Sequence, residues 1–173
     1  MIPPNAPDPS VKEVDLRIFV HSYQTVDKLT RRSKTGYIIF LNNDTIDWLS
    51  KKQVTIKTSV FGAESVAMNI GMEALRDLQY KLYMMGGPIS GLFLIYGENM
   101  LVIHNTQRPD STLKKKLNSI CYHAIRESVA MKQILTGHVP SVKNQEDICT
   151  KVFTRGAKHN RLIGKLLHDL YKH

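Results

Sequence analysis

Three carboxylates and one histidine hold most of the chemistry available to this sequence. Glu64 lies one turn into the longest amphipathic stretch, Glu98 follows the apolar run Leu92-Phe93-Leu94-Ile95-Tyr96, and Asp147 opens a short helical pattern after the last strand-like run. Carboxylates gathered from separate elements point to a divalent cation, because Mg²⁺ takes hard oxygen ligands and mutual repulsion otherwise keeps acids apart. Each has an ordinary alternative as an acid favoured by the positive end of a helix dipole, Glu64 in a first turn and Glu98 and Asp147 ahead of the helices they precede. Ligands of an open sheet bind beyond its strand ends, and the shared placement favours a site. An acid is missing at the end of the first strand, where His21 stands, followed by Ser22 and Tyr23. Asp15 shares its face by alternation but lies about 20 Å back along an extended chain. Asp27 belongs to a turn.

The elements that must position these groups follow from periodicity. Val14, Leu16, Ile18 and Val20 alternate with Asp15, Arg17 and Phe19, the period of a strand over 14–20. Thr35–Leu41 and Thr45–Ser50 give two further strands, separated by the turn Asn42-Asn43-Asp44. From Ser59, a suitable N-cap, Val60, Ala63, Ala67, Ile70, Ala74, Leu78 and Leu82 recur every three or four residues, so one long helix runs to Met85 and stops at Gly86-Gly87-Pro88. Met72, Leu75 and Met85 widen its apolar face. The run 92–96 between glycines reads as a strand buried on both faces, followed by a short helix from Asn99 to Asn105. A second long helix spans Lys114–Met131 with Leu117, Ile120, Cys121, Ile125 and Val129 on one face. Leu135–Val139 is a fifth strand, and helices at Glu146–Val152 and Leu162–Tyr171 close the chain. Three strands, then helix, strand, helix, strand and helix, give an α/β mixed five-stranded sheet with helices packed on its faces.

Composition sets the partners. The 173 residues, 42% of them hydrophobic, suit one domain over 14–173 behind a proline-rich linker over 1–13. Lys and Arg number 24 against 15 Asp and Glu, and the isoelectric point near 9.6 favours an anionic partner such as nucleic acid. Arg31, Arg32, Lys34, Lys51 and Lys52 flank strand turns, and Lys114-Lys115-Lys116 precedes a helix; each group reads either as a phosphate contact or as a solvated face. Cys121 and Cys149 fit no zinc spacing, the seven histidines form no ligand pattern, and neither a signal peptide nor a membrane span is visible. An intracellular, reduced protein is expected.

Read together, the blocks Phe19-Val20-His21-Ser22-Tyr23, Thr30–Gly36, Trp48–Gln53, Ser59–Glu64, Tyr96-Gly97-Glu98-Asn99, Ser111–Lys116, Tyr122–Glu127 and Glu146–Lys151 resemble, in order, the RNase H domain at the end of the polyprotein of copia-type LTR retrotransposons. The resemblance covers nearly the whole chain, and the proline-rich start is similar to the linker from the reverse transcriptase. It implies an RNase H-like fold and hydrolysis of the RNA strand of an RNA–DNA hybrid by two Mg²⁺ (or Mn²⁺) ions, with a reverse transcriptase upstream. It implies catalytic positions at His21, Glu64, Glu98 and Asp147, metal ligands at Glu64, Glu98 and Asp147, and nucleic-acid contacts at Arg31, Arg32, Lys34, Lys51, Lys52, Asn99, Lys114 and Lys115. The family's first block reads Phe-Val-Asp-Ala-Asp, so His21 stands where the central carboxylate belongs and Tyr23 replaces the second Asp. Glu98 lengthens an Asp, whereas Glu64 and Asp147 are kept.

A carboxylate bridges two cations with two charged oxygens; a neutral imidazole offers one nitrogen lone pair. The expectation is therefore a degenerate domain that binds nucleic acid with hydrolysis lost or strongly reduced. Its rivals are an active Mg²⁺-dependent hybrid endonuclease, which needs a replacement for the first carboxylate, and a non-catalytic nucleic-acid-binding module adopted by a host.

Overall fold

Antiparallel pairing of three consecutive strands begins the fold in a computed structural model that describes residues 14–23, 30–54, 56, 59–87, 89, 92–108, 119–140, 149 and 164. β1 (Leu16–Tyr23) pairs with β2 (Lys34–Leu41), and β2 with β3 (Asp44–Lys52). The β2–β3 turn places Asn42 at φ 55, a left-handed conformation that Asn adopts more readily than most residues. Its side chain accepts from Asp15 N at 3.0 Å, tying the turn to the strand start. α1 (Val60–Met84) follows, capped by Ser59, whose hydroxyl accepts from Gly62 N at 3.2 Å. β4 (Phe93–Gly97) then lies parallel to β1, α2 (Met100–Gln107) and α3 (Ser119–Ala130) follow, and β5 (Ile134–His138) lies parallel to β4. The order β3-β2-β1-β4-β5 is the mixed five-stranded sheet that the element order implies.

The core lies between the sheet and α1. Leu16, Ile18 and Val20 of β1 are buried together with Ala67, Met68, Met72 and Leu75 of α1. Gly71 makes the approach possible: a β-carbon there would stand 2.6 Å from Val20 Cγ1 and 3.0 Å from Ile18 Cδ1. Tyr122 and Ile125 of α3 are fully buried, and the Tyr122 hydroxyl donates to Asn105 O at 3.1 Å.

Several expected boundaries shift. β1 continues through Tyr23, so His21 is inside the strand rather than just beyond it. β4 alternates buried with half-buried residues instead of being covered on both faces, and Leu92 and Leu135, placed in strands by their apolar neighbours, are exposed. Val60 and Met85 are exposed because they lie at the ends of α1, where the apolar stripe outruns the sheet. On α3 the buried face is set by Tyr122, Ile125 and Ser128, leaving Ile120 in solvent. The linker and the start of the helix expected from Lys114 lie outside the described residues, and of the two closing helices only Cys149 and Gly164 are described, both helical.

Candidate functional site

Parallel pairing of β1 with β4 aligns Val20 with Gly97. The next residues, His21 and Glu98, therefore leave that pairing side by side. The N-terminal half of α1 covers the same end of the sheet and brings Glu64 from above. The three side chains meet. His21 Nδ1 stands 3.0 Å from Glu64 Oε1 and 3.5 Å from Glu98 Oε2. Glu64 Oε1 also accepts from Ser22 N at 3.2 Å. His21 and Glu64 are buried, with 7% and 5% of their surface exposed, and Glu98 is half-buried. Both carboxylates lie within ion-pair distance of the ring nitrogen, and a protonated imidazole would face two acids with one positive charge.

The helix-dipole alternative does not account for these acids. α1 begins at Val60 and its first turn holds no acid, so Glu64 lies past the turn where the dipole acts. α2 is capped by Asn99, and Glu98, before the cap, turns to His21 instead. Two carboxylates on one buried imidazole form a cluster.

Among the described residues the donor set does not fit a pair of Mg²⁺ ions. At the end of β1 such a pair needs a charged bridging carboxylate; the residue present supplies nitrogen, and Mg²⁺ strongly prefers an octahedron of oxygens. The imidazole also lies against both carboxylates rather than leaving them to face a shared ion. Among the described residues, no three His, Cys, Asp or Glu side chains are arranged to hold a metal ion. Asp147 lies outside the described residues, although the backbone two positions on approaches the sheet: Ser50 Oγ donates to Cys149 O at 2.6 Å.

Arg31, Arg32, Lys34, Lys51 and Lys52 gather at the same end of the sheet. Tyr23 pairs with Lys34, Lys34 with Lys52, and Thr35 with Lys51, one strand or two away from His21. Arg31 and Arg32, just before β2, are exposed, as are Lys51 and Lys52. Asn99 is occupied locally: its Oδ1 accepts from Leu101 N and Val102 N at 3.0 and 3.2 Å, which caps α2. Lys114 and Lys115 lie outside the described residues.

Sequence reasoning gave Gln53 no role beyond ending a matched block. Its amide donates to Thr35 Oγ1 and to Ala63 O, both at 2.9 Å, which joins the ends of β2 and β3 to the start of α1. Ser22 Oγ, Ser33 Oγ and Gln53 Oε1 are buried nearby without a hydrogen-bond partner among the described residues. The polar Gln after Lys51-Lys52, where a strand should have ended, was the available signal.

Comparison with known proteins agrees with this architecture. No protein-family model matches the chain. Its homologues include the retrovirus-related Pol polyprotein from transposon RE2 of Arabidopsis thaliana, 29% identical over 134 residues and 76% of this chain, and that from transposon RE1, 27% identical over 145 residues and 82%. The chain spans 9% and 10% of those polyproteins. Among solved structures it resembles LC11-RNase H1 in complex with an RNA/DNA hybrid, with TM-score 0.58 and 16% identity, covering 75% of this chain and 88% of that one. It also resembles the foamy viral protease-reverse transcriptase in complex with an RNA/DNA hybrid, with TM-score 0.54 and 16% identity, covering 87% of this chain and 20% of that one. The fold is that of RNase H, and the relatives are retrotransposon polyproteins, as the resemblance in the sequence implies.

Proposed function

We propose that this chain is an RNase H-like segment of a retrotransposon polyprotein that binds RNA–DNA hybrids through the basic end of its sheet and has lost most or all hydrolytic activity. The contact of His21 Nδ1 with both Glu64 and Glu98 carries the reading. Where an active site of this fold needs a carboxylate, this chain supplies an imidazole that engages the remaining acids. Glu98 adds to the mismatch, because a longer side chain than Asp displaces its oxygens, and about 1 Å of displacement can cost roughly a hundredfold in rate.

Binding does not need those groups. Lys34, Lys51 and Lys52, with Arg31 and Arg32 beside them, supply positive charge next to the cluster, and the chain carries a formal net charge of +9. Two structures of the same fold hold an RNA/DNA hybrid. The homologues are polyproteins, so a reverse transcriptase upstream is part of this reading.

Titration of a fluorescent RNA–DNA hybrid with the purified chain, followed by anisotropy and then by electrophoresis of the RNA strand, tests both halves. The expected outcome is salt-sensitive binding with the strand intact in Mg²⁺. Absence of binding at low salt sinks the first half, and cleavage that disappears in Glu64→Gln sinks the second.

A further inference from the structure

A second surface lies at the opposite end of α1 from the His21 cluster. Arg76, Gln79, Tyr80 and Tyr83 recur at spacings of three and four, which puts them on one stripe of the helix. That stripe is a shoulder beside the buried face of Met68, Met72 and Leu75. Two adjoining depressions, of about 500 and 350 Å³, run along it and share Arg76 and Gln79. Gly87 edges the first with no side chain to narrow it, and Lys132, just before β5, edges the second. Arg76 lies twelve residues beyond Glu64 and Tyr83 nineteen, about 18 and 28 Å along a helix axis.

The groups there have a consistent chemistry. Tyr80 and Tyr83 are exposed by 64% and 73%, far more than their size favours on a helix flank. Arg76 Nη2 donates to Ser128 Oγ at 2.8 Å and to Gln133 Oε1 at 2.7 Å, so the guanidinium is fixed through one of its three nitrogens at the join of the two depressions. Lys132 places a second cation on the far wall. The described lining holds no carboxylate, and the nearby Asp77 is paired with Lys81 at 2.7 Å. Exposed tyrosine rings flanked by a fixed arginine and by Lys132, in an open groove rather than an enclosed pocket, match what unpaired bases and their phosphates require.

We propose that this groove binds single-stranded nucleic acid, with bases stacking on Tyr80 and Tyr83 and phosphates held by Arg76 and Lys132. It is separate from the basic end of the sheet and does not depend on whether that end binds a hybrid. A protein partner docked on the same tyrosines is the alternative that the measurement separates.

The experiment uses fluorescein-labelled oligo(dT) and the full chain, alongside the double variant Tyr80→Ala/Tyr83→Ala and its conservative counterpart Tyr80→Phe/Tyr83→Phe. Loss of two stacking faces is expected to weaken oligo(dT) binding by the alanine pair about tenfold or more. The phenylalanine pair is expected to stay within a few-fold of the wild type. Thermal melts should coincide, since both tyrosines are exposed. Absence of oligo(dT) binding by the wild type, equal binding by the alanine pair, or a phenylalanine pair that weakens binding as much as the alanine pair would each overturn the proposal.

Discussion

At the scale of a single residue, the proposed loss of hydrolysis rests on His21. Its ring is buried and lies 3.0 Å from Glu64 and 3.5 Å from Glu98, so a carboxylate in its place would join two others instead of opposing them. His21→Asp is therefore expected to create affinity for Mg²⁺ and some cleavage of an RNA–DNA hybrid, and adding Glu98→Asp to raise the rate further, by up to about a hundredfold. Calorimetry with Mg²⁺ and a labelled-hybrid assay check the two effects; a double variant that binds no more Mg²⁺ than the wild type would show that His21 is not the obstacle. A different residue sets an alkaline limit. The Tyr37 hydroxyl is pushed up to about 12 by burial, then by the charge of Asp47 and by its hydrogen bond to Asp47 Oδ2 at 3.1 Å. Because the folded value is raised above the usual value near 10, the stability it contributes is present below about pH 10 and is lost as pH rises through about 12. Tyr37→Phe should flatten the fall in denaturant midpoint between those values. The convergence of Glu64 and Glu98 was legible in the sequence from their places after strand ends and inside a helix. Their contact with His21 was not, because a side-chain distance depends on how strand parity and helix rotation combine.

Among the elements, α1 and β1 set the position of everything at the cluster. Gly71 lets the helix settle on Ile18 and Val20, and Gln53 fixes the start of the same helix against the strand ends. Gly71→Val is expected to cost about 1–3 kcal/mol through overpacking, seen as a lower melting temperature, because the nearest atoms belong to the short, stiff Val20 side chain. Melting unchanged from the wild type would mean that the helix can lift off the sheet freely. Helix and strand types were readable from periods of 3.6 and two, and the mixed sheet followed from their order. Element ends were less legible. Periodicity reports which face is apolar, but not where the covering element stops, which is why Val60, Met85, Leu92 and Ile120 are exposed despite fitting an apolar pattern. The strand ends at Tyr23 and Lys52 ran past their hydrophobic alternation because backbone pairing, and not side-chain burial, continues the ladder there.

Across the whole molecule, charge and site share one end of the sheet. Lys34, Lys51 and Lys52 lie beside the cluster, where the proposed hybrid contact would neutralise phosphates. Hybrid affinity should therefore fall steeply and linearly in log–log form with salt, and Lys51→Ala/Lys52→Ala should flatten that slope by up to about 2 units, at about 0.9 for each phosphate no longer neutralised. A slope unchanged in the variant would place the bound phosphates elsewhere on the surface. The net positive charge was readable from composition, but its concentration beside the cluster depends on strand register, which aligns residues 18 positions apart. The most direct test of the central claim is a single-turnover time course with labelled RNA–DNA hybrid in Mg²⁺ and in Mn²⁺, run on the wild type and on Glu64→Gln. The expected result is a bound hybrid whose RNA strand stays intact with both proteins; metal-dependent cleavage by the wild type that Glu64→Gln abolishes would contradict it.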